Sequence, residues 1–133
     1  MNRGELPHAV GLNEHFRLLK YKHGQFFRVH TDESFFRRTS DGMSVGDMSC
    51  VSVHTYLNQN FKDGFTTFRS GERYLDVKPR TGSILLFQHD ILHEGVTVIQ
   101  GTKYVLRTDV MYSTHSSCAM NSTIPGTTPM EQL

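Results

Sequence analysis

The sequence lacks the features that mark membrane, secreted or nucleic-acid-binding proteins. It contains no tryptophan, only two cysteines, and no run of about 18 apolar residues that could cross a membrane. Its first residues lack the apolar stretch of a secretory signal. With 14 basic and 13 acidic side chains, the net charge is +1, so no bulk attraction to nucleic acid or to an anionic membrane is expected. These absences predict an intracellular, cytoplasmic protein with free thiols at Cys50 and Cys118.

Short strands dominate the apolar pattern, and no segment shows a long helical stripe. The 133 residues suffice for one domain with a buried core. Glycine-containing turns separate eight candidate strands, which are residues 15–21, 26–30, 51–57, 64–68, 73–77, 83–87, 91–93 and 103–112. Many short strands at this spacing predict an all-β sandwich or barrel, and eight strands suit a double-sheet jelly roll.

Three segments fall outside this strand pattern. Residues 1–13 are expected to form an irregular lead-in. Residues 113–133 are rich in serine, threonine and proline, which predicts a flexible C-terminal tail. Residues 33–49 form a long polar stretch, and loops of this length in compact domains are commonly functional.

A candidate metal site begins with His30 and Asp32. Side chains two residues apart on a strand project from the same face, roughly 7 Å apart at their Cα atoms. A third ligand must come from another strand, and His93 is the best candidate, although His23 or the pair His89 and Asp90 could also serve. Two histidines and one carboxylate on one face of an ion are typical of non-haem iron(II) oxygenases, with zinc as the competing metal.

The order of motifs along the chain resembles the prolyl 4-hydroxylase-like branch of the iron(II)- and 2-oxoglutarate-dependent dioxygenases. Residues 21–32, YKHGQFFRVHTD, are similar to the family's run Y-x-x-G-x-x-F-x-x-H-x-D, which carries the first two metal ligands. Residues 93–104, HEGVTVIQGTKY, look like H-x-x-x-P-V-x-x-G-x-K-Y, with Thr97 where the family often has proline.

Two further motifs lie between these, in the family's order. Residues 56–58, YLN, and 63–68, DGFTTF, are similar to Y-L-N and G-G-E-T-x-F, with Asp63 and Phe65 in place of the usual glycine and glutamate. Residues 77–87, VKPRTGSILLF, resemble V-x-P-x-x-G-x-x-L-L-F. The resemblance implies a double-stranded β-helix core of the cupin-like, jelly-roll kind over residues 14–112. The family usually carries helical sequence ahead of this core, so the chain resembles a form shortened at its N-terminus.

The resemblance also implies the chemistry. Iron(II) would be held by His30, Asp32 and His93, and 2-oxoglutarate would chelate it through the 2-oxo group and the C1 carboxylate. Oxidative decarboxylation of 2-oxoglutarate with O2 would give succinate and CO2 and hydroxylate a C–H bond of a second substrate. Ascorbate is a further cofactor that the family implies.

Four residues are candidate partners of 2-oxoglutarate. The family places its lysine or arginine for the distal C5 carboxylate at the position of Lys103, and a buried carboxylate needs such a charged partner. Arg107 lies on the same face of that strand and is a second candidate. The resemblance gives Tyr56 a hydrogen bond to the C5 carboxylate and places Tyr21 near the C1 end, whereas without the family both would be interpreted as core aromatics.

A prolyl or other protein side chain and a small molecule are both compatible with the motifs as the primary substrate. We expect residues 33–49 to cover the site as a lid, with Phe35, Phe36, Arg37 and Arg38 as candidate substrate contacts and a solvated loop as the alternative. Two other functions stay open: a cupin-like metal enzyme of another class, such as an isomerase, and a non-catalytic interaction module.

Overall fold

A computed structural model describes residues 8–38, 40, 42 and 44–113, and every regular element in this part of the chain is a strand. No helix that could span a membrane occurs among these residues. The strands are β1 (Ala9–Leu12), β2 (Arg17–Tyr21), β3 (Phe27–His30), β4 (Phe36–Arg38), β5 (Ser44–Tyr56), β6 (Lys62–Asp63), β7 (Thr66–Ser70), β8 (Arg73–Val77), β9 (Ile84–Gln88), β10 (His93–Gly95), β11 (Val98–Gln100) and β12 (Lys103–Ser113).

The strands form three antiparallel sheets. The largest has six strands in the order β1-β12-β5-β4, with β2 also beside β12 and β9 also beside β5. The second has the order β3-β10-β7-β8, and β11 pairs with β6 in a two-stranded sheet. The two larger sheets meet through aromatic rings: Phe68 of β7 packs edge-on against Phe87 of β9, with ring centroids 5.1 Å apart. The predicted all-β jelly roll, a double-stranded β-helix, is confirmed.

The long strand β12 shows why the interior of this jelly roll is polar as well as apolar. Its alternate side chains Lys103, Val105 and Met111 are buried, at 4%, 3% and 0% exposure. Burying a side chain such as Met111 stabilises the fold by about 1.5–3 kcal/mol, whereas a buried lysine costs free energy unless it is compensated. The sheet therefore places the cationic side chain of Lys103 inside the molecule.

Four short strands, β1, β4, β6 and β11, were not among the predicted ones. The prediction that residues 1–13 are irregular is wrong for Ala9–Leu12, because these residues form β1 and pair with β12. The loop predicted for residues 33–49 is wrong for β4 and for the start of β5, which pair with each other. β1, β6 and β11 depend on partner strands far along the chain, and β4 forms a hairpin with the start of β5, so none of the four shows in local alternation. In the predicted tail, Ser113 belongs to β12, and residues 114–133 lie outside the described part of the chain.

The cysteine prediction is also wrong for Cys50. This residue is buried on β5 and disulfide-bonded, and the other cysteine of the chain, Cys118, lies outside the described residues. Cysteine content therefore gives no argument for a reducing compartment.

Gly101 is a position where the fold requires glycine, and Gly101→Ala is expected to destabilise the protein by about 2–4 kcal/mol. The residue has φ +85, and a Cβ there would lie 2.9 Å from the backbone oxygen of Asn60. Gly71→Ala is the matched control, because Gly71 also has a positive φ of 59 but no heavy atom within 4 Å of a built Cβ. The control should cost about 1 kcal/mol. Equal losses in urea unfolding would contradict a steric role for Gly101.

Candidate metal centre

Strand pairing brings the two candidate histidine ligands together. β10 pairs with β3 so that His93 lies directly opposite His30, and their ring centroids are 4.3 Å apart. Asp32 follows two residues after His30, and its backbone N–H donates to the carbonyl of His89 at 2.8 Å. One carboxylate oxygen lies 3.5 Å from His30 Nε2 and the other 3.8 Å from His93 Nε2. The possible ligand atoms of the three residues all lie within 4.8 Å of one another.

Hydrogen bonds set both imidazoles in the orientation that a metal needs. Nδ1 of His30 lies 2.7 Å from the carbonyl oxygen of Arg28, and Nδ1 of His93 lies 2.9 Å from that of Ile91. A carbonyl oxygen can only accept, so each Nδ1 carries a proton and donates it. In the neutral rings each Nε2 then presents its lone pair toward Asp32. This backbone support of the second ring nitrogen is typical of histidine metal ligands.

His93 provides the test of whether an ion fits. Its Nε2 is buried and has no hydrogen-bond partner, and the residue is 2% exposed. Burial lowers the pKa of His93, so its ring is neutral at physiological pH. An unpaired lone pair in the interior costs free energy, and a divalent cation between the three side chains would satisfy it. The donor set of two neutral nitrogens and one carboxylate fits iron(II), as well as manganese(II).

Asp32 is held from both sides. Ser52 on β5 donates a short hydrogen bond to one oxygen, and Arg107 on β12 donates to the other at 2.9 Å. Burial of Asp32 would raise its pKa, but the Ser52 hydrogen bond and the Arg107 charge outweigh burial and lower the pKa below its ordinary value. The carboxylate is therefore ionised and fixed in place before any ion arrives.

The alternative ligands do not join this group. Both ring nitrogens of His89 contact serine hydroxyls, Nδ1 at 3.1 Å from Ser52 and Nε2 at 3.0 Å from Ser49. His89 thus supports Ser52, which in turn holds Asp32. His23 is exposed and its Nδ1 contacts the carbonyl oxygen of Ile99. Among the described residues, the one cluster of metal-ligand type contains neither histidine.

A cavity of about 160 Å³ is lined by two of the three candidate ligands, His30 and His93. This is smaller than the roughly 300–1,000 Å³ of a drug-sized pocket and suits a small organic acid. Lys103 lines the cavity and is 4% exposed. Its Nζ donates to the carbonyl of Gly64 at 2.6 Å, and burial lowers its pKa to about 8. No carboxylate pairs with Lys103 in the described ranges, so this end of the cavity holds a cation without a counter-ion.

The two tyrosines predicted at the cavity occupy different positions. Tyr21 lines it, and the Lys103 Nζ lies 5.3 Å from its ring centre. Tyr56 is 1% exposed and does not line the cavity. Its hydroxyl lies 2.7 Å from the hydroxyl of Thr66, and Thr66 does line the cavity. Burial raises the pKa of both tyrosines. Thr66 was missed in the sequence, because it lies in the motif where Asp63 and Phe65 depart from the family pattern.

The predicted substrate contacts lie elsewhere. Arg37 forms salt bridges with Asp47 at 2.7 Å and with Glu14 at 2.9 Å, so its charge is already paired within the protein. Phe35 packs against the ring of His15, and Phe36 on β4 is 48% exposed. Neither these residues nor Arg38 are among those that line the cavity. Their contact with a substrate stays a prediction.

Phe27 and His54 are two cavity residues that were not predicted. Phe27 is 45% exposed and its ring centroid lies 4.0 Å from that of His30. His54 packs edge-on against Phe87, and its Nε2 is buried without a hydrogen-bond partner. The period of two along β5 could have identified His54, because it shares a face with Tyr56 and Ser52.

His54→Leu is expected to make the protein less sensitive to acid. Burial, reinforced by Arg107, lowers the pKa of His54 to about 3, so only the unfolded chain takes up this proton between pH 6.5 and 3. Unfolding therefore becomes easier as the pH falls, by roughly 1.4 kcal/mol per unit from this residue. Urea unfolding at pH 7 and 5 should show the wild type losing about 2 kcal/mol more than the variant. Equal losses in the two proteins would contradict a neutral buried imidazole.

Comparisons with known proteins point to one family. The sequence profile of the 2OG-Fe(II) oxygenase superfamily matches residues 16–108. The "putative prolyl 4-hydroxylase" of Acanthamoeba polyphaga mimivirus is 28% identical over 104 residues, covering 69% of this chain and 42% of that protein. The fold is similar to a Pseudomonas putida prolyl-4-hydroxylase, with a TM-score of 0.54 and 22% identity over 71% of this chain and 50% of the other.

A prolyl hydroxylase from Trichoplax adhaerens, solved in complex with a peptide from the oxygen degradation domain of hypoxia inducible factor, has the same fold. Its TM-score is 0.57 at 20% identity, covering 77% of this chain and 44% of the other. The chain thus spans about half the length of the relatives that it matches.

Proposed function

Because the chain belongs to the 2OG-Fe(II) oxygenase superfamily, in its prolyl hydroxylase-like part, we propose that it is an iron(II)- and 2-oxoglutarate-dependent dioxygenase. The reaction would hydroxylate a C–H bond of a second substrate, with release of succinate and CO2. The observation that carries the proposal is the cavity itself, which joins a histidine–aspartate–histidine cluster to the uncompensated cation Lys103.

The metal would be held by His30, Asp32 and His93. Bound there, iron(II) would supply the redox chemistry that couples decarboxylation of 2-oxoglutarate to hydroxylation. The protein's own contribution is to keep Asp32 ionised through Ser52 and Arg107 and to bind the Nδ1 of each histidine to a backbone carbonyl, which leaves Nε2 as the ligand atom. No side chain is needed as a general base in this reaction.

Lys103 would hold the distal carboxylate of 2-oxoglutarate. The buried ammonium lacks a counter-ion in the described chain, and a carboxylate would supply both charge and hydrogen-bond acceptors. Arg107 suits this role less, because it is already paired with Asp32. Tyr21 and Thr66 line the cavity around the ligand, with Tyr56 fixing Thr66 from behind.

The second substrate would enter beside Phe27. This ring contacts the His30 ring in a tilted arrangement and is 45% exposed, so it offers an apolar surface next to the metal ligands. A prolyl or similar protein side chain is the substrate class that the prolyl hydroxylase relatives favour, and the Trichoplax enzyme was solved with a peptide bound. A small molecule is the alternative.

Calorimetry with Mn(II) and then 2-oxoglutarate tests the proposal without requiring the second substrate. The expected result is one Mn(II) per chain and binding of 2-oxoglutarate only to the metal-loaded protein. Binding of metal alone would instead support a cupin-like metal enzyme of another class. Binding of neither would support a non-catalytic interaction module.

A further inference from the structure

The cavity is lined by a second arginine, Arg17, that the proposed chemistry does not use. Alternate side chains of β2 face the cavity, which Arg17, Leu19 and Tyr21 all line. β2 pairs with β12 so that Arg17 lies directly opposite Arg107. Because Arg107 binds the Asp32 carboxylate at 2.9 Å, Arg17 is one strand away from the residue that reaches the candidate metal ligands.

Arg17 and Arg107 form a like-charge pair across neighbouring strands. Side chains opposite each other in an antiparallel sheet lie about 4.5–5.5 Å apart at Cβ, and two like charges there destabilise the sheet. Asp32 neutralises Arg107, but within the described ranges no salt bridge or hydrogen bond engages the Arg17 guanidinium. Glu94, the one acidic side chain among the described residues that line the cavity, is paired with Arg69. The charge of Arg17 is therefore uncompensated in this part of the chain.

Arg17 differs from Lys103 in its access to solvent. Lys103 is 4% exposed, whereas Arg17 is exposed. Arg107, opposite Arg17, is four residues from Lys103 on β12, which is roughly 13 Å along the strand. Phe27 is another exposed residue that lines the cavity. A ligand that contacts Arg17 therefore approaches from solvent, as the second substrate must, whereas Lys103 suits a ligand that is enclosed.

We propose that Arg17 binds an acidic side chain of the second substrate, so that the protein prefers a prolyl peptide with aspartate or glutamate near the proline. A carboxylate would supply the counter-ion that Arg17 lacks and would accept two hydrogen bonds from its guanidinium fork. Two strand spacings separate Arg17 from the metal ligands at most, roughly 10 Å, which is about three residues of an extended peptide. The inference rests on the proposed function and names the substrate class of the same site.

Peptides that differ in a single group test this preference. Each nonapeptide has a central proline in an alanine and glycine background and carries one glutamate, placed at each of the three positions on either side in turn. A matched peptide carries glutamine at the same position. A fluorescent label at the peptide N-terminus reports, through fluorescence anisotropy, binding to the protein loaded with Mn(II) and 2-oxoglutarate.

The wild type is expected to bind at least one glutamate peptide about 10- to 100-fold more tightly than its glutamine counterpart, which is the factor expected of one charge-assisted contact. Arg17→Gln should bind the two peptides of that pair nearly equally. Arg17→Glu should instead prefer a third peptide with lysine at that position, and the glutamate peptide should then bind most weakly. This reversal is a gain that misfolding cannot produce.

Arg80→Gln is the matched control. It removes an exposed arginine from the loop between β8 and β9, which does not line the cavity, and it should keep the wild-type preference for glutamate. Circular dichroism verifies the fold of each variant, and calorimetry with 2-oxoglutarate measures the cosubstrate site separately.

Several results would overturn the inference. Equal affinity of the wild type for every glutamate and glutamine pair, or binding of no peptide at all, would exclude recognition of an acidic peptide. A glutamate preference that survives in Arg17→Gln would assign it to another cation, and weaker 2-oxoglutarate binding in this variant would place Arg17 in the cosubstrate site. If the wild type binds Mn(II) but no 2-oxoglutarate, the proposed function fails and this inference fails with it, whereas intact 2-oxoglutarate binding without a glutamate preference overturns this inference alone.

Discussion

His30→Ala is expected to lose more than about 100-fold in affinity for Mn(II) and all Fe(II)-dependent release of succinate from 2-oxoglutarate. The variant removes one of three candidate ligands, and alanine leaves only Asp32 and His93 to hold the ion. Two protein ligands bind a divalent ion too weakly to compete with its hydration by water. Without the bound ion, 2-oxoglutarate has no metal to chelate. Calorimetry with Mn(II) and a succinate assay under Fe(II) measure the two effects separately.

His23→Ala is the matched control for this prediction. His23 was an alternative ligand in the sequence, and it lies exposed with its Nδ1 on the carbonyl of Ile99. The control should bind Mn(II) like the wild type. Succinate release that survives in His30→Ala, or metal affinity that falls equally in both variants, would show that the ion is held elsewhere.

The strands that were predicted well are those whose ends are indicated by residues close to them in the sequence. β8 (Arg73–Val77) has the predicted bounds, and the last strand, predicted to end at residue 112, ends at Ser113. A glycine-containing turn, with Gly71 or Gly101, precedes each of these strands, and local chemistry specifies such turns. β1 and β6 were missed, because four or two exposed residues without alternation become strands only when a distant partner provides hydrogen bonds.

The candidate site could be predicted where a motif fixed both residue type and order. His30, Asp32 and His93 come together as expected, and the register of β3 and β10 explains why the two histidines are adjacent. Alternation along β5 places His54 on one face with Ser52 and Tyr56, but it does not say which side chains that face meets. The hydrogen bond from Ser52 to Asp32 is a tertiary contact that no local spacing encodes.

This tertiary support changes how the metal cluster is understood. The pair His30 and Asp32 alone is a weak signal, since two such residues occur by chance in many sequences. The structure adds a chain of hydrogen bonds from His89 through Ser52 to Asp32, together with the Arg107 ion pair on the other oxygen. A carboxylate that is merely part of a surface would not be held by two inward-facing polar side chains, one of them supported by a histidine behind it. The organisation around Asp32 therefore supports a site arranged in advance for a cation.

Lys103→Met is expected to weaken binding of 2-oxoglutarate to the Mn(II)-loaded protein by about 100-fold or more. Methionine fills the same buried space but offers no charge to the distal carboxylate, and it loses the hydrogen bond to Gly64. Binding of 2-oxopentanoate, which lacks that carboxylate, should be nearly unchanged. The difference between the two ligands therefore isolates the contribution of the ammonium group from any general loosening of the cavity.

The pH dependence provides an independent check on the same residue. Burial lowers the pKa of Lys103 to about 8, so the free protein loses this charge as the pH rises through 8. Affinity for 2-oxoglutarate should be constant below that pH and fall about tenfold per unit above it, and Lys103→Met should abolish this dependence. Lys20→Met, which alters an exposed lysine on β2 beside Tyr104, should retain both the affinity and its pH profile. A wild-type profile that stays flat up to pH 10, or a fall that persists in Lys103→Met, would mean that the distal carboxylate is bound by a different group.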